Sequence, residues 1–359
     1  MSGAPALDPG RPTTVLVTGG CGFIGSHLVR ALVRRGDRVV NLDSLTYAGD
    51  PARLADVEGS PNYVFVRADI ADPAAVDRAL AAYRPQAVVN AAAESHVDRS
   101  ILDPGPFLRT NVVGTEVLLR AAQRHGVARF VQVSTDEVYG DLEDGEPATE
   151  ASPLRPSSPY AASKAAADLL CLAYHRTYGL PVVVARSTNN YGPYQFPEKL
   201  IPLVILNVLA GRDVPVYGDG LQRRDWLHVD DNCAALLLVL DRGTPGAVYN
   251  VGTGQERTNR DVVAAICDLV ARRADRDPAA ARALIRSVPD RPGHDRRYAL
   301  RADRVRAELG WAPRVPFPEG LARTIDWYLD NAGWLTRVSG SEFAAYYEVV
   351  YQRCWGRDA

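Results

Sequence analysis

From residue 13 to residue 186 the chain alternates short apolar runs with longer stretches whose apolar positions recur every three or four residues. The runs cover 14–18, 38–42, 63–67, 87–90, 129–134 and 181–186 and are rich in Val and other strand formers. Several lack a period-two break, as strands covered on both faces should. Between them, 24–35, 73–83, 111–125 and 160–178 are Ala- and Leu-rich and predict helices. Such alternation predicts an α/β fold, a Rossmann-type, doubly wound parallel sheet with helices on both faces.

Beyond residue 186 the pattern changes. Residues 187–224 are rich in Pro, Gly, Tyr and Asn, after which a helix at 230–241 and a strand at 247–251 read as the sheet resuming. Amphipathic helices are expected at 260–274 and 318–329, and a charged, Ala-rich surface helix at 275–286. The expected division is a sheet domain of 13–186 and 225–255 and a smaller, discontinuous α/β domain of 187–224 and 256–359. The second would pack over the strand C-terminal ends, where open α/β sheets hold ligands. Residues 1–12 read as a flexible tail without the apolar core of a signal peptide.

Composition narrows the picture. Apolar residues make up 47% of the 359 and charged residues 23%, too apolar for a disordered chain. A net charge of −2 gives no electrostatic basis for binding nucleic acid or an acidic membrane surface. The longest apolar runs, such as 234–240, fall far short of the ~20 residues of a membrane span. The 5 cysteines are odd in number and share no CxxC spacing, so they read as reduced thiols of a cytoplasmic protein. Every basic residue except Lys164 and Lys199 is Arg, which draws attention to those two.

The first run leads into Gly19-Gly20-Cys21-Gly22-Phe23-Ile24-Gly25 and then a helix. Glycines at 19, 22 and 25 let the backbone approach a pyrophosphate at the helix N-terminus, where free N–H groups favour an anion. Asp43, at the end of the second run, is placed to accept hydrogen bonds from an adenosine ribose and to repel a 2′-phosphate, favouring NAD over NADP. Asp69, after the third run, is a further candidate at the adenine.

Tyr160 and Lys164 stand four residues apart at the start of a helix, so both project from one face. An ammonium beside the phenol would lower the tyrosine pKa and make Tyr160 a general base for an alcohol. Ser134 ends the fifth run, and Thr135-Asp136-Glu137 follows it directly. Thr135 can hydrogen-bond the oxygen that Tyr160 deprotonates. Adjacent carboxylates raise each other's pKa, so one can keep a proton while the other ionises, which equips Asp136 and Glu137 to protonate a leaving hydroxyl and remove a C–H proton.

These residues, with LTYAG at 45–49, NAAAESHVDRS at 90–100, NVVGT at 111–115, STDEVYG at 134–140, SPYAASKAAAD at 158–168, NNYGPYQFPEKLIPLVI at 189–205, YGDGLQRRDWLHVDD at 217–231 and DRPGHDRRYA at 290–299, resemble the extended short-chain dehydrogenases/reductases, within them the nucleotide-sugar 4,6-dehydratases. The resemblance covers 14–334; Cys21 stands where that family usually has a small residue, and the tail beyond Trp334 is less similar. It implies that Gly19, Gly22, Phe23, Ile24, Gly25, Asp43, Asp69, Ile70, Ala91, Tyr160 and Lys164 hold NAD; His96 and His294 suggest no third ligand, so no metal is expected. It implies Thr135, Asp136, Glu137, Tyr160 and Lys164 as catalytic. Ser95, Asn190, Glu198, Lys199, Arg224, Asn259, Arg291 and His294 fall at positions resembling nucleotide-sugar contacts, with Arg224 and Arg291 suited to the diphosphate.

The implied reaction turns an NDP-glucose into an NDP-4-keto-6-deoxyglucose with NAD recycled internally, in deoxysugar biosynthesis; dTDP stands first, with UDP and CDP open. A 4-epimerase or uronate decarboxylase of the same fold is the alternative enzyme, and a non-catalytic NAD-sensing regulator the alternative class. The resemblance also implies a homodimer through helices near 111–125 and 160–178.

Overall fold

The computed structural model describes residues 12–142 and 145–350, so the tail expected at 1–12 lies outside the described residues apart from Pro12. Its strands are β1 (Thr14–Thr18), β2 (Arg38–Asp43), β3 (Tyr63–Arg67), β4 (Ala87–Asn90), β5 (Arg129–Thr135), β6 (Val182–Ser187), β7 (Asn189–Tyr191), β8 (Val214–Tyr217), β9 (Arg223–His228), β10 (Val248–Val251), β11 (Glu256–Thr258) and β12 (Ile285–Val288). Seven form one parallel sheet in the order β10-β6-β5-β4-β1-β2-β3. Strand order reverses between β1 and β4, so a crevice opens above their C-terminal ends.

Alternate residues of each strand face opposite layers. Val15 and Val17 pack with Leu28, Leu32 and Leu236 from helices Phe23–Arg35 and Val229–Arg242. Leu16, Val40 and Phe130 pack on the other side with helices Pro73–Tyr83, Thr115–Arg124 and Pro159–Tyr178. Burial of both faces explains the unbroken apolar runs. A third core joins helices Leu200–Ala210, Asn259–Arg273 and Phe317–Asp330. Two small sheets flank it, β11-β9-β7 and β12-β8.

Two expected elements differ. The helix expected at 275–286 is only Pro278–Arg282, followed by β12 paired with β8. Asp275 takes a left-handed φ of 52°, and Asp277 with Pro278 starts a new helix, so the Ala-rich stretch cannot run through. The helix expected from residue 111 begins earlier, at Gly105–Phe107, and passes through a π-helical stretch, Leu108–Gly114, before Thr115–Arg124. There Asn111 turns inward, donating to the Glu94 carbonyl at 2.9 Å and to Ser163 Oγ at 2.8 Å.

Candidate active site

A cavity of about 490 Å³ lies in the crevice, and all eleven residues expected to hold the dinucleotide line it: Gly19, Gly22, Phe23, Ile24, Gly25, Asp43, Asp69, Ile70, Ala91, Tyr160 and Lys164. A Cβ on Gly25 would sit 2.1 Å from the Gly19 carbonyl oxygen, and one on Gly19, whose φ is +70°, 2.6 Å from Ala92 Cα. Only glycine closes this turn. Helix Phe23–Arg35 begins there with no side-chain cap, so its first N–H groups remain available to an anion. At the end of β2, Asp43 accepts from the backbone N–H of Cys21 at 2.9 Å and of Leu45 at 2.8 Å. Each carboxylate oxygen keeps a lone pair for a ribose hydroxyl. Asp69 accepts from Ala71 N and pairs with Arg109. This donor and acceptor set fits NAD.

The reacting end is set by β5 and helix Pro159–Tyr178. Ser158 caps that helix by accepting from Ala161 N, with Pro159 in its first turn, which delivers Tyr160 to the crevice. Thr135, the last residue of β5, contacts the Tyr160 phenol and lies 3.2 Å from Asp136 Oδ1. One expectation fails here. Tyr160 is not held low by Lys164; burial and then the Glu137 carboxylate push its pKa up. The Lys164 ammonium is turned instead to the Val133 carbonyl, at 2.7 Å, and burial pushes its own pKa down.

The acidic pair is unequal. Burial and then neighbouring Glu137 raise Asp136 well above the carboxylate range, and its Oδ2 is buried without a hydrogen-bond partner. Burial raises Glu137 too, but Arg291, Arg224 and Lys199 pull it back. Asp136 thus keeps a buried oxygen without a partner, whereas Glu137 lies in the field of three cations.

Of the expected substrate contacts, Ser95, Glu198 and Lys199 line the cavity. Lys199 donates to the Ser95 carbonyl at 2.6 Å. Glu198 is held by Tyr47 Oη at 2.8 Å and by Arg99 Nε at 3.0 Å. Asn190, Arg224, Asn259, Arg291 and His294 do not line it. Arg224 donates to the carbonyls of Arg223 and Asp295, both at 2.8 Å, and stacks 4.0 Å over Tyr298. Arg291 pairs with Asp98 at 2.7 Å. His294 sits 2.6 Å from Asp290, while burial and Arg291 lower its pKa to about 4. Asn190 donates to the Thr188 carbonyl, and Asn259 opens helix Asn259–Arg273. Arg224 and Arg291 thus reach Glu137 through their charge, and Arg224 reaches Asp136 as well.

Several residues that matter escaped the sequence. Asp98 receives both Arg291 and the Tyr217 hydroxyl, the latter at 2.9 Å. Tyr298 bridges Asp295 at 2.8 Å and Glu137 at 3.5 Å. Arg53 lines the cavity although it is buried. All join residues far apart in the chain, so no local spacing could reveal them; only the charged and aromatic identities inside the quoted motifs hinted at Asp98, Tyr217 and Tyr298.

A glycine turn on an uncapped helix, a ribose-side carboxylate and a Tyr–Lys pair at the strand ends together define a dinucleotide-dependent enzyme of the extended short-chain dehydrogenase/reductase class. Comparison refines this. The profile of the GDP-mannose 4,6 dehydratase family matches residues 16–324. The chain is 54% identical to dTDP-glucose 4,6-dehydratase of Xanthomonas campestris pv. campestris strain B100 over 335 residues, 90% of this chain and 95% of that one. A crystal structure of the Streptomyces venezuelae dTDP-glucose 4,6-dehydratase, with NAD and TYD bound, superposes with a TM-score of 0.85 at 50% identity, covering 90% of this chain and 99% of that one. The Thermus thermophilus UDP-glucose 4-epimerase, in complex with NAD, gives 0.80 at 36% identity, over 88% and 99%. The chain belongs to the nucleotide-sugar 4,6-dehydratase family.

Proposed function

We propose that this cavity converts dTDP-glucose to dTDP-4-keto-6-deoxyglucose, with Tyr160, Asp136 and Glu137 dividing the proton transfers. The protein is an NAD-dependent hydro-lyase. NAD, when bound, supplies a hydride acceptor for C4 that gives the hydride back at C6, so net redox is zero. Tyr160, contacted by Thr135, takes the C4 hydroxyl proton. Its phenol needs a nearby cation to ionise, because burial and Glu137 oppose the phenolate. Lys164, one turn away, supplies that charge only once its ammonium turns from the Val133 carbonyl toward the phenol. The 4-ketone acidifies C5–H; Glu137 removes that proton, Asp136 protonates the C6 hydroxyl so that it leaves as water, and a proton returns to C5 as C6 takes the hydride back.

The carrying observation is the unequal pair: Asp136, with a buried oxygen that has no partner, beside Glu137, which lies in the field of Arg291, Arg224 and Lys199, next to Tyr160. A 4-epimerase has no use for an acid and a base directed at C6 and C5. Incubation of the purified protein with dTDP-glucose tests this directly. The expected outcome is a 4-keto-6-deoxy product that absorbs in alkali; accumulation of the 4-epimer instead would refute it.

Residues 13–186 with 225–255 serve the cofactor, and 187–224 with 256–359 serve the sugar nucleotide, although Val305, Leu309 and Trp311 pack in the core of the cofactor layer. Ser95, Asn190, Glu198, Lys199, Arg224, Asn259, Arg291 and His294 are the substrate set; replacing Arg224 or Arg291 should raise the KM for dTDP-glucose, and an unchanged KM would count against it. Leu108, Val113, Leu169 and Tyr178, each half or more exposed, support a homodimer through the helices that carry them. The buried free thiols Cys21, Cys171, Cys233 and Cys267 support a cytoplasmic location, which cell fractionation would check.

A further inference from the structure

Arg53 is 1% exposed, a full cation inside the protein. Its Nη1 donates to the carbonyls of Cys21 at 2.7 Å and of Ala48 at 2.5 Å. Its Nε donates to the carbonyl of Tyr194 at 3.2 Å. These acceptors belong to three separate segments: the glycine turn, the loop that follows Asp43, and the loop between β7 and helix Leu200–Ala210. All three segments contribute to the cavity wall, through Gly22, Ala48 and Gln195, and Arg53 reaches the wall itself.

A fourth segment backs the junction. The guanidinium lies 5.4 Å from the Trp334 ring centroid, and Trp334 Nε1 donates to Asp50 at 3.0 Å. Tyr194, at a left-handed φ of 68°, is wedged against Arg30 at 4.7 Å and Trp327 at 4.4 Å. The Cys21 peptide is gripped on both sides, its N–H by Asp43 and its carbonyl by Arg53 and by Asp50 N.

A guanidinium offers its donors in one rigid fork, so the three loops are fixed relative to one another. Swinging any one of them outward breaks a charge-assisted bond and leaves a buried cation short of an acceptor. The reaction is redox-neutral, so no step requires the dinucleotide to depart.

We propose that Arg53 is a positioning residue that locks the three cavity loops over bound NAD and slows its release between turnovers. This rests on the assignment of the cavity to NAD. The test measures the NAD that stays with the purified protein and its rate of release into an enzyme trap, for the wild type, Arg53→Met and Arg53→Lys. Arg53→Met should release NAD about tenfold faster or more, retain less of it through gel filtration, and show activity that rises with added NAD where the wild type's does not. Arg53→Lys keeps the charge without the fork and should also release NAD faster. A merely structural role would lower the melting temperature with no new dependence on added NAD. Wild-type release from a folded Arg53→Met protein overturns the proposal; where that variant does not fold, wild-type release from Arg53→Lys overturns it. A wild type that binds no NAD would instead overturn the assignment of the cavity, and the lock with it.

Discussion

At the scale of single residues, the chemistry depends on how burial is shared among Tyr160, Asp136 and Glu137. Glu137 must have lost its proton and Asp136 must keep its own. Burial raises both, so the dehydration rate should climb through a pKa above the ordinary glutamate value and fall again through a higher one. Asp136→Asn should remove the alkaline limb and slow elimination by about 10²–10⁴-fold. A 6-fluoro substrate, whose fluoride leaves with little protonation, should recover much of that loss. A pH–rate profile unchanged in Asp136→Asn would exclude it as the acid. Asp43 sets cofactor choice: Asp43→Ala should narrow the preference for NAD over NADP, read as the ratio of their Kd values, because the carboxylate no longer repels a 2′-phosphate. Equal affinities in the wild type would remove that role. The positions of Asp43, Tyr160 and Lys164 were legible because each depends on a short spacing after a strand or within one helix turn. The upward push on the Tyr160 pKa was not, because it comes from burial and then from Glu137, which the spacing of Tyr160 and Lys164 does not report.

At the scale of elements, β5, β6 and helix Pro159–Tyr178 are tied behind the site by a buried ion pair. Asp168, one turn beyond Lys164, accepts from Arg186 Nε at 2.8 Å and from Ser134 Oγ at 3.0 Å. Arg186 also donates to the Tyr139 hydroxyl at 2.9 Å, which donates in turn to Asn250 Oδ1 at 2.8 Å. Arg186→Met strands the Asp168 carboxylate and should destabilise the fold by roughly 3–5 kcal/mol, measured by urea unfolding. Adding Asp168→Asn should restore part of the loss; strictly additive losses would mean that the pair is not coupled. The strands themselves were legible, since a parallel sheet buried on both faces writes unbroken Val runs into the chain. The end of the Ala-rich stretch at 275–286 was not: its composition favours helix, and β12 exists because β8 offers it a partner from far away in sequence.

At the scale of the whole molecule, the proposed homodimer would use the helices that carry the exposed Leu108, Val113 and Leu169. Sedimentation should show a dimer at micromolar protein, and Leu169→Glu with Val113→Glu should give a monomer that keeps its helical circular dichroism. A monomeric wild type would exclude this interface. Such a surface is hard to read from sequence, because the same helices also carry residues such as Leu118 and Cys171 that fill the core. The same limit applies to the substrate side. Arg224, Arg291 and His294 were placed by resemblance, but their partners Asp295, Asp98 and Asp290 appear only in the fold.

The central claim is that oxidation at C4 and elimination across C5 and C6 use different groups of this chain. Glu137→Gln keeps the shape of the site and removes only the base. With dTDP-glucose in deuterated water, NADH absorbance should still appear in this variant while exchange of the C5 proton collapses. Loss of NADH formation, with C5 exchange of a supplied 4-keto sugar intact, would contradict the account.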